Sequence, residues 1–304
     1  MPCFGRNGFQ TIGLSDRKSA PAFFRCKKYF TLAISNDFAR IRLSSNTTEH
    51  TGVASCYPTG SADSTTMKNE AITLLITHPH TCSYLPEQQA STAFVDPQIS
   101  IDTHLFTRLA EIGFRRSGAH VYRPQCASCQ ACIPVRVPVQ YFKPDRKQLR
   151  CLKRNTDLEI RQITSIDSDD YYALYERYIN TRHGDGDMYP ASREQYRDFL
   201  CAAWPTAFYL AYYSNNYSDN RLIAVSVCDR FDNGYSAVYT FFDPDEYKRS
   251  LGVFAVLNQI ARAQLEELEF LYLGYWIKDC AKMRYKIDYR PIEMLVNGKW
   301  QWLN

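Results

Sequence analysis

The sequence predicts an α+β fold, a mixed sheet flanked by helices and preceded by a smaller cysteine-rich α+β module. Three observations predict it. Strand-length apolar runs at residues 207–213, 222–229 and 235–242 follow one another and lead into a long helical pattern near 250–267. The texture changes near residues 140–156, from Cys/His/Pro-rich to aromatic and regularly patterned. Cys126, Cys129 and Cys132 stand at intervals of three and mark the earlier part as a module of its own. A chain of 304 residues has room for about two domains.

Residues 1–66 carry no sustained periodicity and are rich in Ser and Thr. They hold eight Lys/Arg and four Asp/Glu, and so the whole net charge of +4; beyond them 28 bases meet 28 acids. Such a segment is either a basic targeting peptide or untranslated sequence ahead of a true start at Met67. The second reading is preferred, and a non-functional or disordered extension is expected. Cys3, Cys26 and Cys56 are then set aside.

In the module at 67–155, residues 72–77 read as a strand. Ile101, Leu105, Leu109 and Ile112 recur at helical spacing, and Gly113 follows as a stop. Residues 114–122 and 133–139 read as extended, and the prolines of the second run suggest an edge strand. In the module at 156–304, residues 157–163 alternate as a strand does. Tyr171, Leu174, Tyr175, Tyr178 and Ile179 share one helical face. Ser192 with Gln195 forms a capping box for a second helix. After the three strands and the long helix come a strand at 270–273, a short helix at 279–285 and a last strand at 292–296. The order β-α-α-β-β-β-α-β-α-β is that of the N-acetyltransferase-like (GNAT) fold.

Composition narrows the function. Hydrophobic residues are 45% and charged residues 22%, which excludes a wholly disordered chain, a collagen and a coiled coil. No apolar run approaches the ~18–20 residues of a membrane helix, so a soluble, cytoplasmic protein is expected. Any affinity for nucleic acid must come from local patches.

Four motifs carry chemistry. Cys126-Ala-Ser-Cys129-Gln-Ala-Cys132, with Cys82 as a candidate fourth ligand, could hold zinc or an iron–sulfur cluster; the alternative is a set of reduced thiols packing a loop. The four are expected to converge in space. Cys151, Cys201, Cys228 and Cys280 read as small buried hydrophobes. Between Lys143 and Arg154, six bases oppose one acid, and on a helix Arg146, Arg150, Lys153 and Arg154 form one stripe suited to a phosphate backbone or to solvent. His183-Gly-Asp-Gly-Asp-Met188 reads as a turn, because it lacks the later acid of a calcium loop. The segment 242–252 joins the third strand to the long helix. Acetyltransferases cradle a pyrophosphate at that junction with Arg/Gln-x-x-Gly-x-Gly/Ala. Here Arg249-Ser250-Leu-Gly252 keeps the first half, but Phe254 stands where a small residue is needed and would crowd coenzyme A.

From His78 onward the chain resembles the arginyl-tRNA–protein transferase family, and most closely its short bacterial branch, the aspartate/glutamate leucyltransferases. The motifs are Cys82-Ser-Tyr-Leu-Pro, the run Tyr122 to Arg136, Arg154-Asn, Tyr175-Glu-Arg-Tyr-Ile, Arg182-His183, Phe242-Asp-Pro, Ser250-Leu-Gly and Tyr272-Leu-Gly-Tyr-Trp-Ile. Leu85 stands where the eukaryotic branch has a second Cys, so a cluster is not carried over. The resemblance implies transfer of leucine from leucyl-tRNA to the N-terminal Asp or Glu of acceptor proteins, which marks them for degradation in the N-degron pathway. No cofactor is expected for the chemistry, and no membrane or DNA partner. The alternatives are an arginyl-tRNA donor, an acetyl-CoA-dependent N-acetyltransferase, or a non-enzymatic zinc module that binds RNA.

Roles follow from chemistry. An acidic acceptor calls for a guanidinium, so Arg136 and Arg182, with His183, are candidates for its carboxylate. Tyr239 and Asp243 are candidates for positioning or deprotonating the amine. Ser250 and Gly252 could hold the terminal adenosine or the oxyanion. Lys278 and Lys286 could meet the acceptor end of the tRNA, and Arg146, Arg150 and Arg154 its backbone.

Overall fold

The computed structural model describes residues 29–34, 40–42, 70–217 and 219–303. Met67, Cys3, Cys26 and Cys56 lie outside the described residues. Part of the expected disordered extension forms strands: β1 (Tyr29–Ile34) pairs antiparallel with β2 (Arg40–Arg42) and with β3 (Glu70–Ile76). The run Tyr-Phe-Thr-Leu-Ala-Ile is aromatic and β-branched, which suits an extended chain. The short β4 (His80–Thr81) and β5 (Gln89–Ala90) pair as a ribbon. Then come β6 (Thr92–Val95), α1 (Thr103–Glu111), β7 (Arg115–Ser117) and β8 (His120–Pro124). The first sheet runs β2-β1-β3-β6-β8-β7, antiparallel throughout. The Asp102 carboxylate caps α1 by accepting from the Leu105 N–H at 2.7 Å. Phe106, Leu109 and Ala110 pack against Ile72, Leu74 and Phe114.

The second sheet is built from β9 (Ile133–Pro138), β10 (Leu158–Ile163), β11 (Ala207–Ser214), β12 (Arg221–Arg230), β13 (Gly234–Phe242), β14 (Phe270–Trp276), β15 (Ile292–Val296) and β16 (Lys299–Leu303). Its order is β10-β11-β12-β13-β14-β9-β15-β16, and among these pairs β13–β14 alone is parallel. The molecule is thus α+β with a large mixed sheet. The helices are α2 (Arg146–Arg154), α3 (Asp169–Arg182), α4 (Arg193–Tyr196) and α5 (Leu251–Leu265). On β11, Phe208, Leu210 and Tyr212 join the core under α5, whereas Tyr209 joins the core under α3 and α4. That alternation puts α5 on one face and α3 with α4 on the other.

Several expectations change. The run expected as an edge strand is interior, because β9 pairs with β14 on one side and at Val135 and Arg136 with β15 on the other. Pro134 and Pro138 sit near its ends, clear of the two residues that bond on both sides. The sheet therefore crosses the expected boundary at 155/156. The short helix expected at 279–285 is a 3-10 stretch, Ala281–Asp288. β16 was not foreseen. Between the sheets, Arg116 makes a buried bidentate pair with Asp229, with Nη2–Oδ1 2.7 Å. Among the described residues no helix is long and apolar enough to cross a membrane.

Candidate active site at the parting of two strands

β13 and β14 bond only at Gly234–Phe270, Tyr235–Leu271 and Ser236–Tyr272. Beyond Ser236 and Tyr272 the two parallel strands part and leave a wedge that opens toward their C-terminal ends. Arg115, reaching across from β7, fills its apex. Its Nη2 donates to the Ala237 carbonyl at 2.9 Å and its Nη1 to the Tyr272 carbonyl at 3.5 Å. Gly274, at φ +82°, lies under this guanidinium, and a Cβ there would come within 2.8 Å of Nη1. Only glycine satisfies both conditions. Lys286 closes the β14 side, with Nζ donating to the Tyr275 carbonyl at 2.5 Å. Burial, and then Arg115, bring its pKa down to about 7.

The β13 side of the mouth is aromatic. Tyr178 of α3 packs on Phe242 (4.8 Å between centroids), on His183 (5.0 Å) and on Tyr239 (6.4 Å). Burial pushes the Tyr178 hydroxyl up to about 12. Arg182, on the last turn of α3, lies over the Phe242 ring at 5.5 Å and is exposed. Burial, Lys282 and Arg182 lower the His183 pKa, with Asp185 opposing. Lys282 itself pairs with Asp185 at 3.2 Å. A half-buried imidazole biased toward its neutral form thus stands beside the exposed cations Arg182 and Lys282 at the edge of an aromatic cluster.

The expected site residues divide. Arg182, His183 and Tyr239 come together at this mouth. Arg136 does not: its Nε bonds Glu293 at 2.6 Å, its Nη1 reaches the Tyr272 hydroxyl at 3.1 Å, and its guanidinium stacks on Phe270 and Trp300. This buried Arg braces the sheet. Asp243 is fully buried, and its two oxygens take Arg177 at 3.0 Å and Arg221. It also accepts from the Asp245 N–H, so both its oxygens are engaged and it organises the turn. Lys286 is buried and so is not a surface contact for RNA, whereas Lys278 is exposed just past β14. Arg115 escaped the sequence reading, because nothing local in Phe114-Arg115-Arg116 says that the side chain crosses to another sheet.

At the strand–helix junction, Ser250 adopts a left-handed φ of 56° and opens α5, and its carbonyl accepts from Val253 and Phe254. A Cβ on Gly252 would meet Phe242 at 3.5 Å, an ordinary contact. Arg249 is held by Asp157 and Glu246, both at 2.7 Å. Phe254 does not crowd this turn; it is buried against Tyr212. The Cys151 thiol and the Asn155 amide bond the Arg249 carbonyl and tie α2 to the junction. Arg146, Arg150 and Arg154 are exposed along α2, and Arg154 also donates to the Lys248 carbonyl.

Cys82, Cys126, Cys129 and Cys132 line one cavity of ≈ 310 Å³. Burial, and then the other three sulfurs, push Cys132 up to about 12. Among the described residues no group of three or more Cys, His, Asp or Glu is arranged to hold a metal ion. The four thiols gather where the spacing suggested. Cys151, Cys228 and Cys280 are buried as expected, and Cys201 is half-buried.

Two family profiles match the chain: Arginine-tRNA-protein transferase, N terminus, over residues 80–150, and Arginine-tRNA-protein transferase, C terminus, over residues 170–296. The chain is similar to the aspartate/glutamate leucyltransferase of Saccharophagus degradans, 53% identical over 227 residues, covering 75% of this chain and 95% of that one. The protein of that name from Teredinibacter turnerae is 55% identical over 227 residues, covering 75% and 92%. That from Pseudomonas fluorescens is 53% identical over 228 residues, covering 75% and 95%. Among solved structures, L-PGS from Bacillus licheniformis is similar at 11% identity with a TM-score of 0.34, covering 59% of this chain and 54% of that one, too little to bear on the fold.

Proposed function

The chain belongs to the arginine-tRNA-protein transferase family, and on that premise we propose that it moves leucine from leucyl-tRNA to the N-terminal Asp or Glu of acceptor proteins. The relatives at 53–55% identity carry the leucyltransferase name, which favours leucine over arginine. Marking of the acceptor for degradation belongs to the same proposal. The observation that carries the reading is the mouth of the wedge, where Arg182, His183, Tyr178 and Tyr239 meet at the parting of β13 and β14.

The nucleophile is an α-amine of pKa ~7.7–8.0, partly neutral near pH 7. The donor is an activated ester, so direct attack needs positioning and oxyanion stabilisation rather than an enzyme nucleophile. Arg182 pairs with the acceptor carboxylate. His183 takes the proton that the amine sheds as it attacks the ester carbonyl. His183 then passes that proton to the ribose oxygen as the ester C–O bond breaks, and the tRNA leaves with a free terminal hydroxyl. Tyr239 and the Phe242 ring shape the leucyl site, and the stripe on α2 receives the phosphates. Residues 156–304 are read as a GNAT-like catalytic module behind a cysteine-rich one. No step runs through a metal. An acetyl-CoA donor is disfavoured, because Arg249 is engaged by two carboxylates and Arg115 fills the wedge apex.

The test supplies labelled leucyl-tRNA or arginyl-tRNA to peptides beginning Asp, Glu or Ala. Leucine should pass to the Asp and Glu peptides alone. Transfer of arginine only, or of neither, would sink the reading.

A further inference from the structure

Resting on that function, we infer that Tyr247 is a stacking platform for an unpaired base at the 3′ end of the donor RNA. Tyr247 lies in the 3-10 turn Pro244–Arg249, which leaves β13 at the end where the wedge opens. Its ring is 65% exposed, although burying such a ring is favourable. The Lys248 Nζ stands 5.7 Å from the ring centroid. A large flat ring held at the surface beside a cation offers a partner two contacts at once, a face and a charge.

The surroundings of the turn name that partner's chemistry. On one side Arg177 of α3 holds Asp243 at 3.0 Å and Asp245 at 2.9 Å. On the other, Arg154 at the end of α2 donates to the Lys248 carbonyl. Each acid of the turn has an arginine: Asp243 takes Arg177 and Arg221, Asp245 takes Arg177, and Glu246 takes Arg249. Lys248 and Arg154, with Arg150 and Lys153 behind them on α2, are exposed and make no ion pair among the described residues. A stacking ring beside unpaired cations suits a single strand of nucleic acid, which offers base faces and phosphates together.

The reach says which part of the strand meets the ring. Phe242, under Arg182 and Tyr178, marks the mouth of the wedge. The Glu246 N–H donates to the Asp243 carbonyl at 3.1 Å and closes a turn between them. Such a turn is under ~7 Å across, and one residue on each side adds ~3.8 Å, so Tyr247 stands less than ~15 Å from Phe242. About four unpaired nucleotides at the 3′ end of a tRNA, stacked at ~3.4 Å each, span roughly 14 Å. With the esterified ribose at the mouth, one of those bases therefore falls on Tyr247. The phosphates beside it meet Lys248 and Arg154, and the strand runs on along the stripe of α2.

The experiment measures retention of RNA on filters across a salt series for wild type, Tyr247→Ala, Tyr247→Trp and Lys248→Ala. Two RNAs are used, leucyl-tRNA and the same tRNA trimmed of its unpaired 3′ nucleotides. Tyr247→Ala should weaken leucyl-tRNA binding about 5- to 150-fold at every salt with an unchanged salt slope, as loss of one stacked base does. Tyr247→Trp should keep the affinity. Lys248→Ala should make the slope shallower by about 0.7. Wild type and Tyr247→Ala should bind the trimmed RNA alike, and the acceptor-peptide KM should not move. Unchanged leucyl-tRNA affinity in Tyr247→Ala, or an equal loss on the trimmed RNA, would overturn the platform. A raised acceptor-peptide KM with RNA affinity intact would give the ring to the acceptor protein instead. Failure of the wild-type protein to bind leucyl-tRNA at all would overturn the parent function and this inference with it.

Discussion

Arg136→Ala separates a structural arginine from an acceptor-binding one. Arg136 and Glu293 are each 10% exposed at the side chain, with Nε and Oε2 2.6 Å apart. The guanidinium carbon also sits 3.5 Å from the Phe270 centroid and 4.2 Å from that of Trp300. Truncation strands the Glu293 carboxylate in the sheet, and breaking such a pair costs about 3–5 kcal/mol. It also withdraws Arg136 from Glu111, whose pKa is already raised by burial and which Arg136 helps keep ionised. At ~2–4 °C per kcal/mol for a domain this large, Tm should fall about 6–20 °C. Paired replacement, Arg136→Met with Glu293→Leu, should recover most of that loss, since an apolar pair carries no desolvation penalty. The assay is calorimetry together with kinetics on Asp- and Glu-peptides, run well below the variant's Tm. An unchanged Tm with acidic-acceptor transfer abolished would refute the reasoning and return Arg136 to the acceptor pocket.

Arg182→Ala should lower kcat/KM for Asp- and Glu-peptides about 10- to 150-fold, the ~1.5–3 kcal/mol of a charged hydrogen bond, with leucyl-tRNA affinity intact; equal kinetics would move the carboxylate site elsewhere. Neutralising Arg150 should make the RNA salt slope shallower by ~0.9 and leave thermal stability alone, measured by a binding titration at several salts. Lys286 is depressed from 10.5 to about 7 in the folded chain, so between those values the unfolded chain binds more protons and stability rises with pH. Lys286→Met should remove that rise from urea titrations across the same window; an unaltered pH slope would mean that the lysine titrates normally. Gly274→Ala should cost about 1–3 kcal/mol of stability through its left-handed φ and should also displace Arg115, so that activity falls beyond what lost stability explains; a variant as stable and active as wild type would remove Arg115 from the wedge.

The second half of the chain was legible because its signals are local. The runs at 207–213, 222–229 and 235–242 became β11 to β13 within a residue or so at each end, and the helix near 250–267 became α5. The place of β9 was not legible, because prolines signal an edge locally while the pairing that overrides them comes from strands more than a hundred residues away. The site divided in the same way. Arg182 and His183 end a helix whose aromatic face was readable, and they reached the mouth. Arg136 and Asp243 looked free only because their partners, Glu293, Arg177 and Arg221, lie far off in sequence. Phe254 lay on the core side of α5 rather than the phosphate side, which depends on the helix's rotation and not on its spacing from Arg249.

The interior place of β9 bears on how the polypeptide is made. A ribosome releases residues 133–138 long before 270–276 and 292–296, the segments that flank them in the finished sheet. Until those arrive, β9 has neither neighbour, and β10 to β13 present a ragged border at β13. A nascent chain in that state exposes unpaired backbone, the template for pairing with other copies. Contacts of such long sequence separation also fold slowly. A severed piece beginning after α2 would leave β14 and β15 with an empty slot between them, because the segment that carries the cysteines also supplies a strand to the sheet that holds the wedge.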